Sequence, residues 1–439
     1  MSQAQRAPRA RTRRRAIGAD PRAVAAGVVE AVCEGGATLA DALASVGDAL
    51  LEPRDAALAR AIARATVRRR GDIDWCLSRL MERPLPRRAG EARSILRSAA
   101  AQLLFMRQAE HAAVNVAVAL LKASPAGGGF AGLANAVLRR LVGERDGLLA
   151  RLPVEANTPG WLWRRWVGSW GEATAAAIAA AHREEPALDL AFAGPDVSRP
   201  ADATALPTGG ARVPRGDVTA MEGYAEGGWW VQDVAAQLPV TLFGDVAGRT
   251  VLDLCAAPGG KAMQLAAAGA RVTALEVDEA RAVRLSQNLA RTRMGDRVQV
   301  VVGDARAATG RYDAVLLDAP CSATGTLRRQ PDAAWAKSAA DVAALAGLQR
   351  DLLRRAADCL APGGMLVFAT CSIEPEEGEA HLAFVREALP GLAPEPVAEG
   401  PAATFATSEG TVRTLPHMVV GDGGPKGLDG FFAARFRAA

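Results

Sequence analysis

At 439 residues the chain is long enough for two or three domains, and half of its residues are hydrophobic, which excludes global disorder. The formal net charge of +4 is unevenly distributed: residues 1–160 carry 25 Lys and Arg against 15 Asp and Glu, whereas the remainder has a net charge of −6. A basic first third indicates a polyanionic partner. Charge alone fits a solubilising arm equally well.

Six cysteines are spread along the chain without a CxxC pair or a paired Cys/His spacing, so the sequence predicts neither a disulfide framework nor a metal site. No apolar run reaches the ~18 residues of a membrane-spanning helix. The Arg-rich start is not followed by the apolar segment of a secretory signal. We therefore expect a cytoplasmic protein without membrane association, in which thiols remain free for chemistry.

The first half of the chain has a helical pattern. Residues 1–18 contain six arginines and no acidic residue, which is typical of a disordered basic arm. Over residues 19–145, apolar residues recur at three- and four-residue intervals and predict an all-helical domain of about six helices. Residues 146–235 contain a Pro- and Gly-bearing linker, amphipathic helices and short apolar runs, which indicate a small helical and α+β subdomain.

The pattern changes over residues 236–439, where short β-branched runs alternate with Ala- and Leu-rich helices. Such alternation predicts an α/β, Rossmann-like domain with a mostly parallel, doubly wound sheet. The predicted strands are TVLDLCA, RVTALEV, VQVVVGDA, YDAVLLDAP and MLVFATCS, and the terminal FFAARF is expected to be the last strand.

A glycine-rich turn follows the first of these strands, at the sheet edge where doubly wound folds bind their ligands. Its two glycines allow the backbone to approach a ligand closely. The turn lacks the GxGxxG pattern, which disfavours a dinucleotide-dependent dehydrogenase. The turn residues are Cys255, Ala256, Ala257, Pro258, Gly259, Gly260 and Lys261.

Acidic residues end the next two strands. Glu276 is suited to accept hydrogen bonds from ribose hydroxyls, and Asp304 to meet an adenine amino group. Either residue alone could simply cap a helix. The glycine-rich turn and two acids at three consecutive strand ends favour an adenosine-bearing cofactor.

Two thiols, Cys321 and Cys371, follow the ends of the fourth and fifth strands. A lone cysteine there is usually a small buried hydrophobe, but two at neighbouring strand ends indicate nucleophilic chemistry. One reaction that needs such a thiol is the methylation of cytosine at C5. Because C5 is a poor nucleophile, a thiolate first adds to C6 and converts the ring into an enamine, which can attack a methyl sulfonium. Lys261 would favour the thiolate, and a buried, protonated Asp318 would hydrogen-bond to N3. Spacing does not decide which cysteine attacks.

Three segments resemble the RNA cytosine-C5 methyltransferases, and within them the bacterial 16S ribosomal RNA enzymes of the RsmB/Sun (Fmu) type: DLCAAPGGK, LDAPCSATGT with LRRQPDAAW, and TCSIEPEEGE. RDAALARAIARATVRRRGDIDWCL and FAGLANAVLRR are similar to that family's NusB-like N-terminal domain. The resemblance implies S-adenosylmethionine (SAM) as cofactor, S-adenosylhomocysteine as product, no metal, and monomeric action. It implies 16S rRNA, or a small-subunit assembly intermediate, as the partner.

The resemblance also implies residue roles: Cys371 would be the nucleophile and Cys321 would assist elimination. The turn from Cys255 to Lys261, together with Glu276, Asp304 and Asp318, would contact SAM or line its site. The sequence departs from the family at Glu276, where Asp is common, at Ala262, where Thr is usual, and at Gln330, where His is common. One alternative is the same chemistry on tRNA. The other is a non-catalytic, RNA-binding ribosome assembly factor, and the intact cysteines argue against this second alternative.

Overall fold

The computed structural model describes residues 20–48, 51–86, 89–125, 127–421 and 423–439. The predicted basic arm at residues 1–18 therefore lies outside the described residues. The chain divides into two compact units, Met1–Leu152 and Pro153–Ala439. Among the described residues, no helix combines the length and apolarity needed to cross a membrane.

The first unit is helical throughout its described part. Asp20 caps the first helix through a hydrogen bond from the Arg22 amide, and Pro21 occupies its first turn, where a missing N–H costs nothing. The helices are α1 Pro21–Cys33, α2 Leu39–Ala44, α3 Pro53–Arg68, α4 Arg70–Leu80, α5 Gly90–Phe105, α6 Glu110–Ala123 and α7 Ala131–Ala150.

Helix α5 is central in this unit, because its small buried residues Ala99, Ala100 and Ala101 let α1, α3, α6 and α7 pack closely against it. Helix α7 continues to Ala150, beyond the predicted end of the helical domain at residue 145. The physical reason is Leu148, which is buried in the core of this unit and keeps the last turn packed.

The second unit begins with α8 Gly160–Trp170 and α9 Glu172–Arg183, which are separated by Gly171 in a left-handed conformation (φ 79°). A small antiparallel sheet follows, with strand order β2-β3-β1-β4. Its strands are β1 Leu188–Phe192, β2 Thr204–Ala205, β3 Ala211–Val213 and β4 Trp229–Val231.

The rest of the second unit is built on an eight-stranded sheet with the order β10-β12-β9-β8-β5-β6-β7, in which β11 also pairs with β12. Strands β5 to β9 are parallel, and β10, β11 and β12 join them in antiparallel fashion. The predicted mostly parallel, doubly wound sheet is confirmed. The strands are β5 Thr250–Leu254, β6 Arg271–Glu276, β7 Val298–Val302, β8 Tyr312–Asp318, β9 Leu360–Thr370, β10 Leu392–Pro394, β11 Val412–Thr414 and β12 Phe431–Ala438.

Helices cover both faces of this sheet, and neighbouring residues of one strand serve opposite cores: Leu316 of β8 packs into one cluster and Leu317 into the other. Both are fully buried, as expected for a strand in the middle of the sheet. The helices are α10 Val234–Thr241, α11 Gly260–Ala267, α12 Glu279–Arg291, α13 Ala333–Ala336, α14 Ala339–Asp358 and α15 Ala380–Ala388.

Candidate active site

The glycine-rich turn joins β5 to α11 at the carboxyl edge of the sheet, next to the point where the strand order reverses between β5 and β8. Gly259 has a φ of 104°, and a Cβ atom on it would lie 2.3 Å from Cδ1 of Leu285. Only glycine fits this position without strain. The turn therefore packs directly against Leu285 of α12.

Lys261, in the first turn of α11, forms an ion pair with Asp318 at the end of β8, with an Nζ–Oδ2 distance of 2.7 Å. The ammonium also lies 4.9 Å from the centre of the Phe431 ring, a cation–π contact. The Asp318 side chain is 30% exposed. The sequence-based expectation of a buried Asp318 is not what the geometry shows, because its side chain is partly exposed and Lys261 is a direct partner of its carboxylate.

The fully buried carboxyl group at this edge belongs to Asp253, in β5, which sequence reasoning missed. Neither of its oxygens has a hydrogen-bond partner among the described residues. Burial, with a smaller contribution from the neighbouring charge of Asp318, raises its pKa well above the ordinary value. In the sequence Asp253 is one polar residue inside an apolar strand, so only the structure shows that its carboxyl group is buried without a hydrogen-bond partner in the described part of the chain.

Glu276 ends β6 and is 1% exposed. Its carboxylate accepts hydrogen bonds from the amides of Ala257 (3.2 Å) and Asp278 (3.1 Å), and Arg281 approaches it at 3.4 Å. A carboxylate offers about four acceptor positions, so capacity remains for ribose hydroxyls. The residue is thus tied to the glycine-rich turn that precedes it in the chain.

Asp304 follows β7 and lies at the protein surface. Its carboxylate accepts from the Arg306 amide at 2.8 Å and from the Arg306 guanidinium, and these side-chain hydrogen bonds lower its pKa. In this structure Asp304 therefore caps the short turn at residues 305–307. An adenine amino group would have to share the carboxylate with Arg306.

Strands β8 and β9 are parallel neighbours in register, with Asp318 opposite Ala369. The loops that leave them therefore start at the same level, and they bring the Sγ atoms of Cys321 and Cys371 to 3.3 Å. The thiols are free, not joined as a disulfide. The hydrogen bond with Cys371, reinforced by burial, raises the pKa of Cys321 well above its ordinary value.

Close backbone packing holds this pair. The Gly325 amide donates to the Cys371 carbonyl at 3.0 Å, and a Cβ on Gly325 would collide with the Gly430 backbone. Cys255, the third thiol of the region, is different, because burial raises its pKa to about 12 and keeps it neutral. Cys255 is therefore at most a packing contact for a cofactor.

Two charged residues beside the thiols were missed from the sequence. Arg329, one of the arginines in LRRQPDAAW, pairs with the buried Asp429 and is close enough to Cys371 to interact with it electrostatically. Glu377, in TCSIEPEEGE, is fully buried and accepts hydrogen bonds from Ser322 and Ser372, the residues that follow the two cysteines. The motifs contained both residues, but their contacts depend on the packing of distant loops.

Comparison with known proteins places this geometry in a family. Residues 240–437 match the family described as 16S rRNA methyltransferase RsmB/F, and residues 19–143 match the NusB family. The ribosomal RNA small subunit methyltransferase B of Erwinia tasmaniensis is 35% identical over 396 residues, which cover 82% of this chain and 88% of the relative. The chain belongs to the RsmB/F family of methyltransferases.

Other relatives agree. The enzyme of the same name from Xanthomonas campestris is 35% identical over 84% of this chain and 87% of its own length. Among solved structures, PH0851 has a TM-score of 0.73 at 23% identity, covering 95% of this chain and 98% of its own, and thus shares the fold. A methyltransferase homologue from Pyrococcus horikoshii has a TM-score of 0.52 at 25% identity, covering 63% and 94%. The predicted class, a SAM-dependent RNA (cytosine-C5)-methyltransferase with a NusB-like domain, is confirmed.

Proposed function

We propose that this enzyme methylates C5 of one cytosine in 16S rRNA, with Cys371 as the nucleophile and Cys321 as the residue that assists elimination. The observation that carries the proposal is the pair of free thiols 3.3 Å apart at the carboxyl ends of β8 and β9. Two thiols are what a C6 adduct with assisted release requires, because one must attack while the other handles the proton at C5.

The residues at the sheet edge fit SAM. The cofactor is a cation that carries hydrogen-bond donors on its ribose, adenine and amino group, and the edge presents acceptors: Glu276, Asp304, Asp318 and the orphaned carboxyl of Asp253. The turn from Cys255 to Lys261 would supply the close backbone approach. When bound there, SAM supplies the methyl group.

The first step is attack of the Cys371 sulfur on C6 of cytosine. The guanidinium of Arg329 places a positive charge near this sulfur, and the sulfur of Cys321 lies within hydrogen-bond distance of it. The Lys261–Asp318 pair would hold a proton for N3, which balances the charge that the ring gains on attack. C5 then has the electron density that methyl transfer needs.

The second step is loss of the C5 proton and of the C6–sulfur bond. Once Cys371 is bonded to C6, its sulfur is a thioether and a much weaker hydrogen-bond partner, so the hydrogen bond that is the largest cause of the raised pKa of Cys321 is lost. Cys321 can then release its proton to water and accept the one from C5. As the C5–C6 double bond re-forms, Cys371 leaves as a thiolate and N3 returns its proton to the Lys261–Asp318 pair.

The RNA target is supported by two observations. The first 160 residues carry a net charge of +10, as expected for contacts with a phosphate backbone. The relatives named above bear the name of small-subunit ribosomal RNA methyltransferases. We propose that the enzyme acts as a monomer in the cytoplasm, on 16S rRNA or a small-subunit assembly intermediate.

The decisive experiment compares single cysteine variants on ribosomal RNA. Cys371→Ser should bind SAM but transfer no methyl group, because an alcohol is far less ionised than a thiol near neutral pH. Cys321→Ala should accumulate protein covalently joined to methylated RNA, seen as a nuclease-sensitive slow band on a denaturing gel. An adduct with Cys371→Ala instead would reverse the roles, and full activity of both variants would refute the covalent mechanism.

Bisulfite sequencing of rRNA from a deletion strain identifies the cytosine, and an unchanged pattern would refute the rRNA target.

A further inference from the structure

Each reactive cysteine is followed by a serine, and both serines donate to the same carboxylate. Glu377 accepts from the Ser322 amide at 2.8 Å, from the Ser322 hydroxyl, and from the Ser372 hydroxyl at 2.6 Å. The two hydroxyl oxygens lie 3.2 Å apart. One side chain thus contacts the turns after β8 and β9 at once, directly beside Cys321 and Cys371.

The same carboxylate is held from the helical layer. Gln349 of α14 donates to Glu377 at 3.2 Å and to the Pro320 carbonyl at 2.9 Å, and its own oxygen lies 2.8 Å from Nε2 of His381. With donors from Ser322, Ser372 and Gln349, the acceptor capacity of an ionised carboxylate is filled. Burial raises the pKa of Glu377, and these hydrogen bonds oppose that rise by stabilising the ionised carboxylate.

We propose that Glu377 is a positioning residue that ties both cysteine turns to one buried anchor and so sets the separation of the two sulfur atoms. The proposal rests on the catalytic roles proposed above for Cys321 and Cys371. C5 and C6 are bonded neighbours in the cytosine ring, so the two sulfurs must reach adjacent atoms. Loops that leave separate strands do not keep such a separation without a shared contact.

Glu377 also acts through its charge. It is fully buried, and its negative charge adds to the larger effects of the hydrogen bond with Cys371 and of burial in raising the pKa of Cys321. The charge therefore helps Cys321 to keep its proton until Cys371 has attacked. A neutral side chain of the same shape at position 377 would preserve the packed volume but not the negative charge. The effect of that charge on Cys321 therefore distinguishes a positioning role from simple packing.

The test uses the full-length Glu377→Gln enzyme, with Glu376→Gln as the matched control. Glu376 is the preceding residue, is 50% exposed, and pairs with Arg165 on the surface. The first readout is the rate of iodoacetamide alkylation of each cysteine against pH, resolved by peptide mass spectrometry. Glu377→Gln should move the Cys321 profile to lower pH, and Glu376→Gln should leave it unchanged.

The second readout is turnover on 16S rRNA. Glu377→Gln should lower kcat on the order of 100-fold, the scale expected for a misplaced catalytic group, and should accumulate the covalent RNA adduct because release depends on Cys321. SAM affinity should stay within about threefold, since Glu377 does not touch the glycine-rich turn. If Glu377→Gln fails to fold, Ser372→Ala, which removes one arm and keeps the charge, should show the adduct with a smaller loss of kcat.

The outcomes separate the two proposals. An unchanged Cys321 alkylation profile in Glu377→Gln, or a loss of turnover without adduct, would show that Glu377 only supports the fold. If Cys371→Ser and Cys321→Ala both keep wild-type turnover, the proposed mechanism fails. In that case the pH dependence of Cys321 alkylation still shows whether the charge of Glu377 acts on Cys321.

Discussion

The buried imidazole of His381 should make the second unit sensitive to mild acid. His381 is 1% exposed, and burial, helped by the charge of Arg350, lowers its pKa from 6.5 to about 4. Between these values the unfolded chain binds a proton that the folded protein excludes, so the free energy of unfolding falls as the pH drops. The full difference corresponds to roughly 3 kcal/mol, of which about 2 kcal/mol is lost between pH 7 and pH 5.

His381→Phe keeps an aromatic ring against Phe368, whose centroid lies 5.1 Å from the imidazole, but removes the hydrogen bond to Gln349. It should cost about 1 kcal/mol at pH 7 and become the more stable protein by about 1 kcal/mol at pH 5. Urea unfolding followed by tryptophan fluorescence measures this, because seven of the eight tryptophans lie in residues 153–439. His111→Gln, an exposed site in the first unit, is the control. Parallel stability curves for wild type and His381→Phe would refute the argument.

Three further changes test the cofactor and RNA sites. Glu276→Ala should weaken SAM binding by about 1–3 kcal/mol through lost hydrogen bonds to the ribose, and calorimetry showing unchanged affinity would remove it from the site. Gly259→Ala should destabilise the turn by about 1–3 kcal/mol, because its φ is 104° and Leu285 blocks a Cβ. Gly295→Ala is the control: a Cβ at Gly295 would meet open space, so thermal melting should show no such destabilisation. Deleting residues 1–152 should flatten the salt dependence of RNA binding without affecting SAM affinity; an unchanged slope would assign that unit another role.

The fold class and the place of the chemistry could be predicted from the amino-acid sequence. Periodicity separates the helical first part from the alternating strands and helices of the second, because those patterns follow from which residues each element must bury. Strand ends are also local features, so the glycine-rich turn, Glu276 and the two cysteines could be placed at one sheet edge. The family motifs then indicated the reaction.

Which of these groups have hydrogen-bond or ion-pair partners depends on how distant segments pack together. Asp318 is partly exposed and pairs with Lys261, whereas Asp253 is buried and its carboxyl oxygens have no hydrogen-bond partner among the described residues. The difference arises because burial depends on what packs over each strand end. The 3.3 Å between Cys321 and Cys371 depends on the register of β8 and β9 together with the contacts of the loops that follow them, and Glu377 reaches both turns only after those loops fold. Contacts between residues some 50 positions apart leave no periodic signal in the chain, so a sequence names the groups but not the distances between them.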